Sequence, residues 1–136
     1  MPRHVKIFAH RGASGNAIEN TFDAFNKALE MKADGIEIDL QCSKDGQFFV
    51  FHDLNLFRLA GVNKSINDCL AEEIQKLKIG RHFIRRFMNM RIPSVDSFII
   101  WLSKNPIAVN IELKESLLKH KKDLITWLMD LELPKG

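Results

Sequence analysis

The chain has 136 residues, 46% of them hydrophobic and 27% charged, and a net charge of +3 at neutral pH. That length suits one domain, read here as residues 1–136, and the composition excludes a disordered chain. No apolar run approaches the roughly 18 residues of a membrane span, and MPRHVKIFAHRG at the N-terminus has no apolar signal core, so the expected location is the cytoplasm.

Cys42 and Cys69 show no C-x-x-C spacing and read as two reduced thiols in a reducing compartment. The densest basic cluster, Lys119, Lys121 and Lys122 beside His120, reads as a solvated helix face, so no nucleic-acid partner is expected. Mild basicity still suits a small phosphate-bearing substrate.

Residues 5–9 (VKIFA) form an apolar run that stops at His10, as a buried strand would. A glycine-bearing loop follows, and Asn20 or Thr21 caps a helix through FDAFNKALEMK, with Phe22, Phe25, Ala28 and Leu29 at helical spacing. Residues 35–41 (GIEIDLQ) alternate strictly. Ile36, Ile38 and Leu40 share one face, and Glu37, Asp39 and Gln41 the other. Lys44-Asp45-Gly46 signals a hairpin, and QFFVFHD is the return strand. A two-residue Asp45-Gly46 turn sets His52 opposite Asp39 and one step from Glu37.

Residues 54–64 read as an irregular loop, and Ser65 or Asn67 caps a helix running to about Lys78. Residues 81–93 are basic and irregular. Ser94 caps a helix over 95–103, residues 107–113 (IAVNIEL) form another apolar strand, and residues 116–131 form a last amphipathic helix. Strands alternating with helices predict a parallel sheet with right-handed crossovers. The polar residues His10, Glu37, Asp39 and Glu112 then collect toward the carboxyl ends of its strands, where such folds build sites.

Glu37, Asp39 and Glu112 on neighbouring strands would repel one another unless something positive sits among them. A hard oxygen-ligated cation, Mg²⁺ or Ca²⁺, resolves that. Salt bridges to Arg11 or Lys114 resolve it equally well, and spacing alone does not choose. His10 and His52 suit a general acid and base for phosphodiester hydrolysis, and could otherwise be zinc ligands or structural residues. Arg11 and Lys114 would supply positive charge for a substrate phosphate.

His10-Arg11-Gly12, Glu19-Asn20-Thr21, Glu37-x-Asp39, Asp45-Gly46, His52-Asp53, Ile92-Pro93 and Ile111-Glu112-Leu113-Lys114 together closely resemble the glycerophosphodiester phosphodiesterase family, in its order and at its spacings. The resemblance spans residues 10–114. It implies a TIM-type (β/α) barrel, a divalent metal held by Glu37, Asp39 and Glu112, and an acid–base pair of His10 and His52. It also implies phosphate contacts from Arg11 and Lys114, and hydrolysis of glycerophosphodiesters to an alcohol and sn-glycerol 3-phosphate. One departure is Ile18, where the family usually has proline before Glu-Asn-Thr.

The other departure is length. A complete eight-stranded barrel takes about 250 residues, so the chain is expected to form only the first half of one, truncated. That would leave an open strand edge and an exposed apolar face. A second copy or a complementing half-barrel would cover them; otherwise the chain is a weakly active fragment or aggregates. The alternatives for function are an inactive remnant that binds metal and phosphate, and a related barrel phospholipase.

Overall fold

The structure, a computed structural model, describes residues 5–15, 17–80 and 89–113. Its elements in chain order are β1 (Phe8–His10), α1 (Phe22–Glu30), β2 (Gly35–Cys42), β3 (Phe48–Val50), α2 (Phe57–Ala60), a 3₁₀ turn (Ile66–Asp68), α3 (Ala71–Lys76), α4 (Val95–Lys104) and β4 (Ala108–Leu113). The helix expected over 116–131, the Lys119–Lys122 cluster, Lys114 and most of the basic segment from 81 lie outside the described residues.

The parallel sheet expected from the strand–helix alternation is present. β2 pairs in parallel with β1 on one edge and with β4 on the other. The alternation of β2 sends Ile36, Ile38 and Leu40 to the helix-covered face. There they meet Phe25 and Ala28 of α1 and Phe98, Trp101 and Leu102 of α4, all buried. The ring centroids of Phe25 and Phe98 lie 5.3 Å apart, edge to face, and the Trp101 indole donates to Asn26 Oδ1 at 2.9 Å, so its polar group is not stranded by burial.

A second apolar cluster joins Phe49, Phe51, Leu56, Leu59, Ile66, Ile74, Ile79 and Ile92. It packs β3 against the loops and short helices of residues 54–79, and so fixes the segment that carries His52 and Arg58.

Four details differ from the sequence-based expectations, the first being that the run over residues 5–9, expected as a buried strand, is largely exposed and forms a strand only at Phe8–His10. The hairpin loop has three residues, not two: Gly46 N–H bonds Ser43 O, Ser43 N–H bonds Gln47 O, and Gly46 has φ +85°. A type I turn closed by a left-handed glycine adds one residue to the loop and slides the return strand by one. Leu40 therefore pairs with Val50, and Phe51 N–H, rather than His52, bonds Asp39 O at 2.9 Å.

The helix expected from Ser65 or Asn67 to Lys78 is two pieces. Ser65 caps the 3₁₀ turn, Cys69 and Leu70 are extended, and α3 starts afresh with its Ala71 N–H on Asp45 Oδ1 at 2.9 Å. The loop expected over 54–64 contains the single turn α2, closed by Gly61 in the left-handed conformation.

Candidate active site

Glu37 and Asp39 are two apart on β2, so both leave the sheet on the face opposite the apolar one. Parallel pairing of β2 with β4 sets Asp39 beside Glu112, and pairing with β1 sets His10 beside Glu37. One carboxylate oxygen from each of Glu37, Asp39 and Glu112 lies within 4.8 Å of the others. Asp39 is fully buried, Glu37 is partly buried and Glu112 is exposed.

Two unit charges 4–5 Å apart repel by roughly 3–4 kcal/mol at an effective dielectric near 20. The consequence appears at Glu37. Its burial, then the Asp39 carboxylate, push it above the ordinary glutamate range, while His10 pulls the other way. Glu37 Oε1 is buried without a hydrogen-bond partner among the described residues. An oxygen-only donor set with such an oxygen turned inward fits a hard divalent cation.

The alternative salt bridges are also present in part. Arg11 Nε lies 3.3 Å from Asp39 Oδ2, and His10 Nε2 lies 3.2 Å from Glu37 Oε2. The cluster is thus braced on one side by His10 at the end of β1 and by the Arg11 guanidinium that follows it. The geometry accommodates both readings left open by spacing, an acidic cluster and cationic partners beside it.

The loop that follows β1 makes this possible. Arg11 has φ 56° and Asn20 φ 54°, and Asn20 N–H bonds Arg11 O at 2.8 Å, so the two left-handed turns lock together. Between them Gly12, at φ +77°, lies so close to α1 that a Cβ there would meet Ala24 backbone at 2.8 Å. The Glu19-Asn20-Thr21 motif then divides its labour. Glu19 accepts from Arg11 Nη1 at 3.1 Å, Asn20 Nδ2 donates to Asp39 Oδ2 at 3.0 Å, and Thr21 Oγ1 caps α1 through Ala24 N–H.

His52 stands apart from the carboxylates in its bonding. Its Nδ1 meets Asp53 Oδ1 at 2.8 Å. Although burial raises Asp53, hydrogen bonds from Arg58 and His52 hold it below the ordinary carboxylate range. Asp53 is therefore an ionised, acceptor-only partner, and the contact calls for a hydrogen on His52 Nδ1. Gln41 Nε2 ties the His52 carbonyl back to β2 at 2.8 Å.

Arg58, on α2, spans the two halves of the site. It bonds both oxygens of Glu19 at 2.9 Å and both oxygens of Asp53 at 2.7 and 3.1 Å. An alternating chain of charges thus runs from Asp39 through Arg11, Glu19, Arg58 and Asp53 to His52.

Of the candidates from sequence, His10, Arg11, Glu37, Asp39 and Glu112 come together, His52 joins them through this chain, and Lys114 lies outside the described residues. Glu19 and Asp53 are visible in the sequence only as parts of motifs, and Asn20 also as a candidate helix cap. Arg58 carried no local signal, because its partner Glu19 is 39 positions away.

The sequence profile of the glycerophosphoryl diester phosphodiesterase family matches residues 10–132. A glycerophosphodiester phosphodiesterase of Caldanaerobacter subterraneus is 39% identical over 114 residues, 84% of this chain and 47% of that protein. Among solved structures, a glycerophosphodiester phosphodiesterase from Agrobacterium tumefaciens superposes with a TM-score of 0.79 at 36% identity, over 93% of this chain and 54% of that one. A phosphodiesterase from Oleispira antarctica, solved with the product sn-glycerol-3-phosphate, superposes with a TM-score of 0.83 at 27% identity, over 97% of this chain and 54% of that one.

The chain spans about half the length of the curated relatives it matches, and the architecture is that of a TIM-type barrel over that share. Among the described residues no helix is long and apolar enough to cross a membrane. By sequence and by fold alike, the chain belongs to the glycerophosphoryl diester phosphodiesterase family.

Proposed function

We propose that the chain hydrolyses glycerophosphodiesters to an alcohol and sn-glycerol 3-phosphate, in the cytoplasm, using a divalent cation, Mg²⁺ or Ca²⁺. The observation that carries this reading is the convergence of Glu37, Asp39 and Glu112 beside His10 and Arg11 at the carboxyl end of a parallel sheet. Those three carboxylates hold the cation, which when bound neutralises charge on the phosphoryl oxygens.

Arg11 pairs with Asp39 by charge, its Nε 3.3 Å from Oδ2, donates one N–H to Glu19, and keeps further donors of its fork for the phosphate. Lys114 adds a second positive charge. His52, with its proton on Nδ1, accepts the proton of the attacking oxygen at Nε2. His10, beside Glu37, delivers a proton to the leaving alcohol oxygen. The attacking oxygen bonds phosphorus as the bond to the alcohol breaks, one proton is taken up and one returned, and both histidines are reset when they exchange it with solvent.

The product bound to the Oleispira relative supports the same substrate class. The test is an assay of the purified chain on glycerophosphocholine with Mg²⁺ or Ca²⁺. Release of glycerol phosphate, abolished by His10→Ala or His52→Ala with cation binding retained, is the expected result. Cation binding without turnover in the unaltered chain would make the protein a binding remnant instead, and unchanged turnover in either variant would remove that histidine from the mechanism.

A further inference from the structure

Building on the hydrolase reading, we propose that Arg58 is a positioning residue that orients the His52 imidazole through Asp53 and braces Arg11 through Glu19.

Arg58 has the geometry for this. Its guanidinium grips two carboxylates from separate segments, each through both oxygens, with every contact between 2.7 and 3.1 Å. Two-point contacts of this kind fix direction as well as distance, which a single ammonium does not. The backbone under it is firm. Leu56 and Leu59 are buried in the second apolar cluster, and Leu56 N–H bonds Lys64 O at 3.0 Å.

The side chain itself is 50% exposed, so as a surface ion pair it contributes little to stability. Its effect is on orientation. Asp53 has two freely rotating side-chain bonds and one imidazole to hold. With Arg58 on both its oxygens, its Oδ1 is fixed toward His52 Nδ1, and the hydrogen is held on that nitrogen. Glu19, likewise fixed, presents Oε2 to Arg11 Nη1. Without Arg58 both carboxylates turn freely, His52 loses its fixed tautomer, and Arg11 keeps only Asp39 as a charged partner. His52 and Arg11, from two separate segments, are therefore set by one residue acting through two carboxylates.

The experiment compares the unaltered chain with Arg58→Ala and Arg58→Lys. The first readout is the long-range ¹⁵N–¹H spectrum of the histidine side chains, which reports the tautomer of His52 without substrate or metal. The unaltered chain is expected to show His52 protonated at Nδ1, and Arg58→Ala a mixture of tautomers, with the other resonances in place. The second readout is turnover of glycerophosphocholine. A fall in kcat of about 100-fold is expected from the misaligned base, with a rise in KM from the released Arg11 and with cation affinity unchanged.

Arg58→Lys should restore fold and solubility yet recover only part of kcat. If Arg58→Ala does not fold, Arg58→Lys alone carries the test. An unaltered His52 tautomer in the variants, or kcat equal to that of the unaltered chain, overturns the proposal. The two readouts separate it from the hydrolase reading: a chain without turnover whose His52 tautomer still depends on Arg58 sinks the activity and keeps the clamp.

Discussion

The carboxamide of Asn20 donates to Asp39 Oδ2 at 3.0 Å, and both residues are buried. The bond joins the loop after β1 to the middle of β2, and it steadies a carboxylate that has two acidic neighbours. It also explains why an asparagine stands there. Asn20 sits at φ 54°, a left-handed conformation that asparagine tolerates better than most side chains.

Replacing Asn20 separates these two contributions. Asn20→Ala should destabilise the fold by about 1–3 kcal/mol, since a buried carboxylate loses a donor. Asn20→Gly loses the same donor but relieves the backbone, and should be less costly by about 1 kcal/mol, the left-handed penalty of an alanine less the extra chain entropy of glycine. Urea unfolding of the three proteins measures both quantities. Equal stability of Asn20→Ala and the unaltered chain would show that the bond contributes nothing.

Gly12 is constrained from two directions. Its φ of +77° suits glycine, and a Cβ there would lie 2.8 Å from the Ala24 carbonyl carbon. Backbone cannot swing aside as a flexible side chain can, so Gly12→Ala has to push the loop off α1. The expected loss is about 1–3 kcal/mol, with Arg11 displaced as well, because it is the preceding residue. Thermal unfolding reads the stability, and a midpoint equal to that of the unaltered chain contradicts the close packing.

How far the sequence discloses the site depends on the range of the interactions. Glu37 and Asp39 are legible because strand alternation is a local property, and Glu112 because an apolar strand surrounds it. The sheet and its helices follow from the same periodicities. Thr21 and Asn20 both look like caps, and only the packing of the loop shows that Thr21 caps while Asn20 reaches the carboxylates. The hairpin register turns on whether Gly46 closes a two- or three-residue loop, and the same Asp-Gly pair serves both. The helix expected over residues 67–78 breaks at Leu70 because Asp45 of the hairpin turn takes the Ala71 N–H, a contact across 26 positions. Arg58 is the extreme case: nothing near it in sequence distinguishes it from any other surface arginine.

Asp45 gives a prediction with a definite sign. Hydrogen bonds from Ser43 Oγ at 2.6 Å and from Ala71 N–H hold its carboxyl below the ordinary aspartate range. A folded-state value below the unfolded one means that ionised Asp45 stabilises the fold at every pH above about 4, the unfolded value. That contribution is lost as pH falls through the lower folded value. The stability difference between the unaltered chain and Asp45→Asn should therefore be constant from neutral pH down to about 4 and shrink below it. Urea midpoints across that range test this, and a difference that widens on acidification reverses the sign of the argument.

Removing charge from the carboxylate cluster should act in opposite directions with and without cation. Without cation, Glu112→Gln relieves repulsion on Glu37 and Asp39 at an exposed position, so stability should hold or rise slightly. Asp39→Asn differs, because Asp39 is buried and already engaged by Arg11 and Asn20; neutralising it removes one of the two charged partners of Arg11 and should be destabilising. With Mg²⁺ or Ca²⁺ at a hundredfold excess over its dissociation constant, the unaltered chain should gain about 2.7 kcal/mol by mass action. Glu112→Gln, with one ligand charge gone, should gain far less at the same concentration. The stability order of the two proteins then reverses on adding cation. Unfolding midpoints with and without each cation decide it: equal gains in the two proteins would remove Glu112 from the ligand set, and no gain in either would remove the metal.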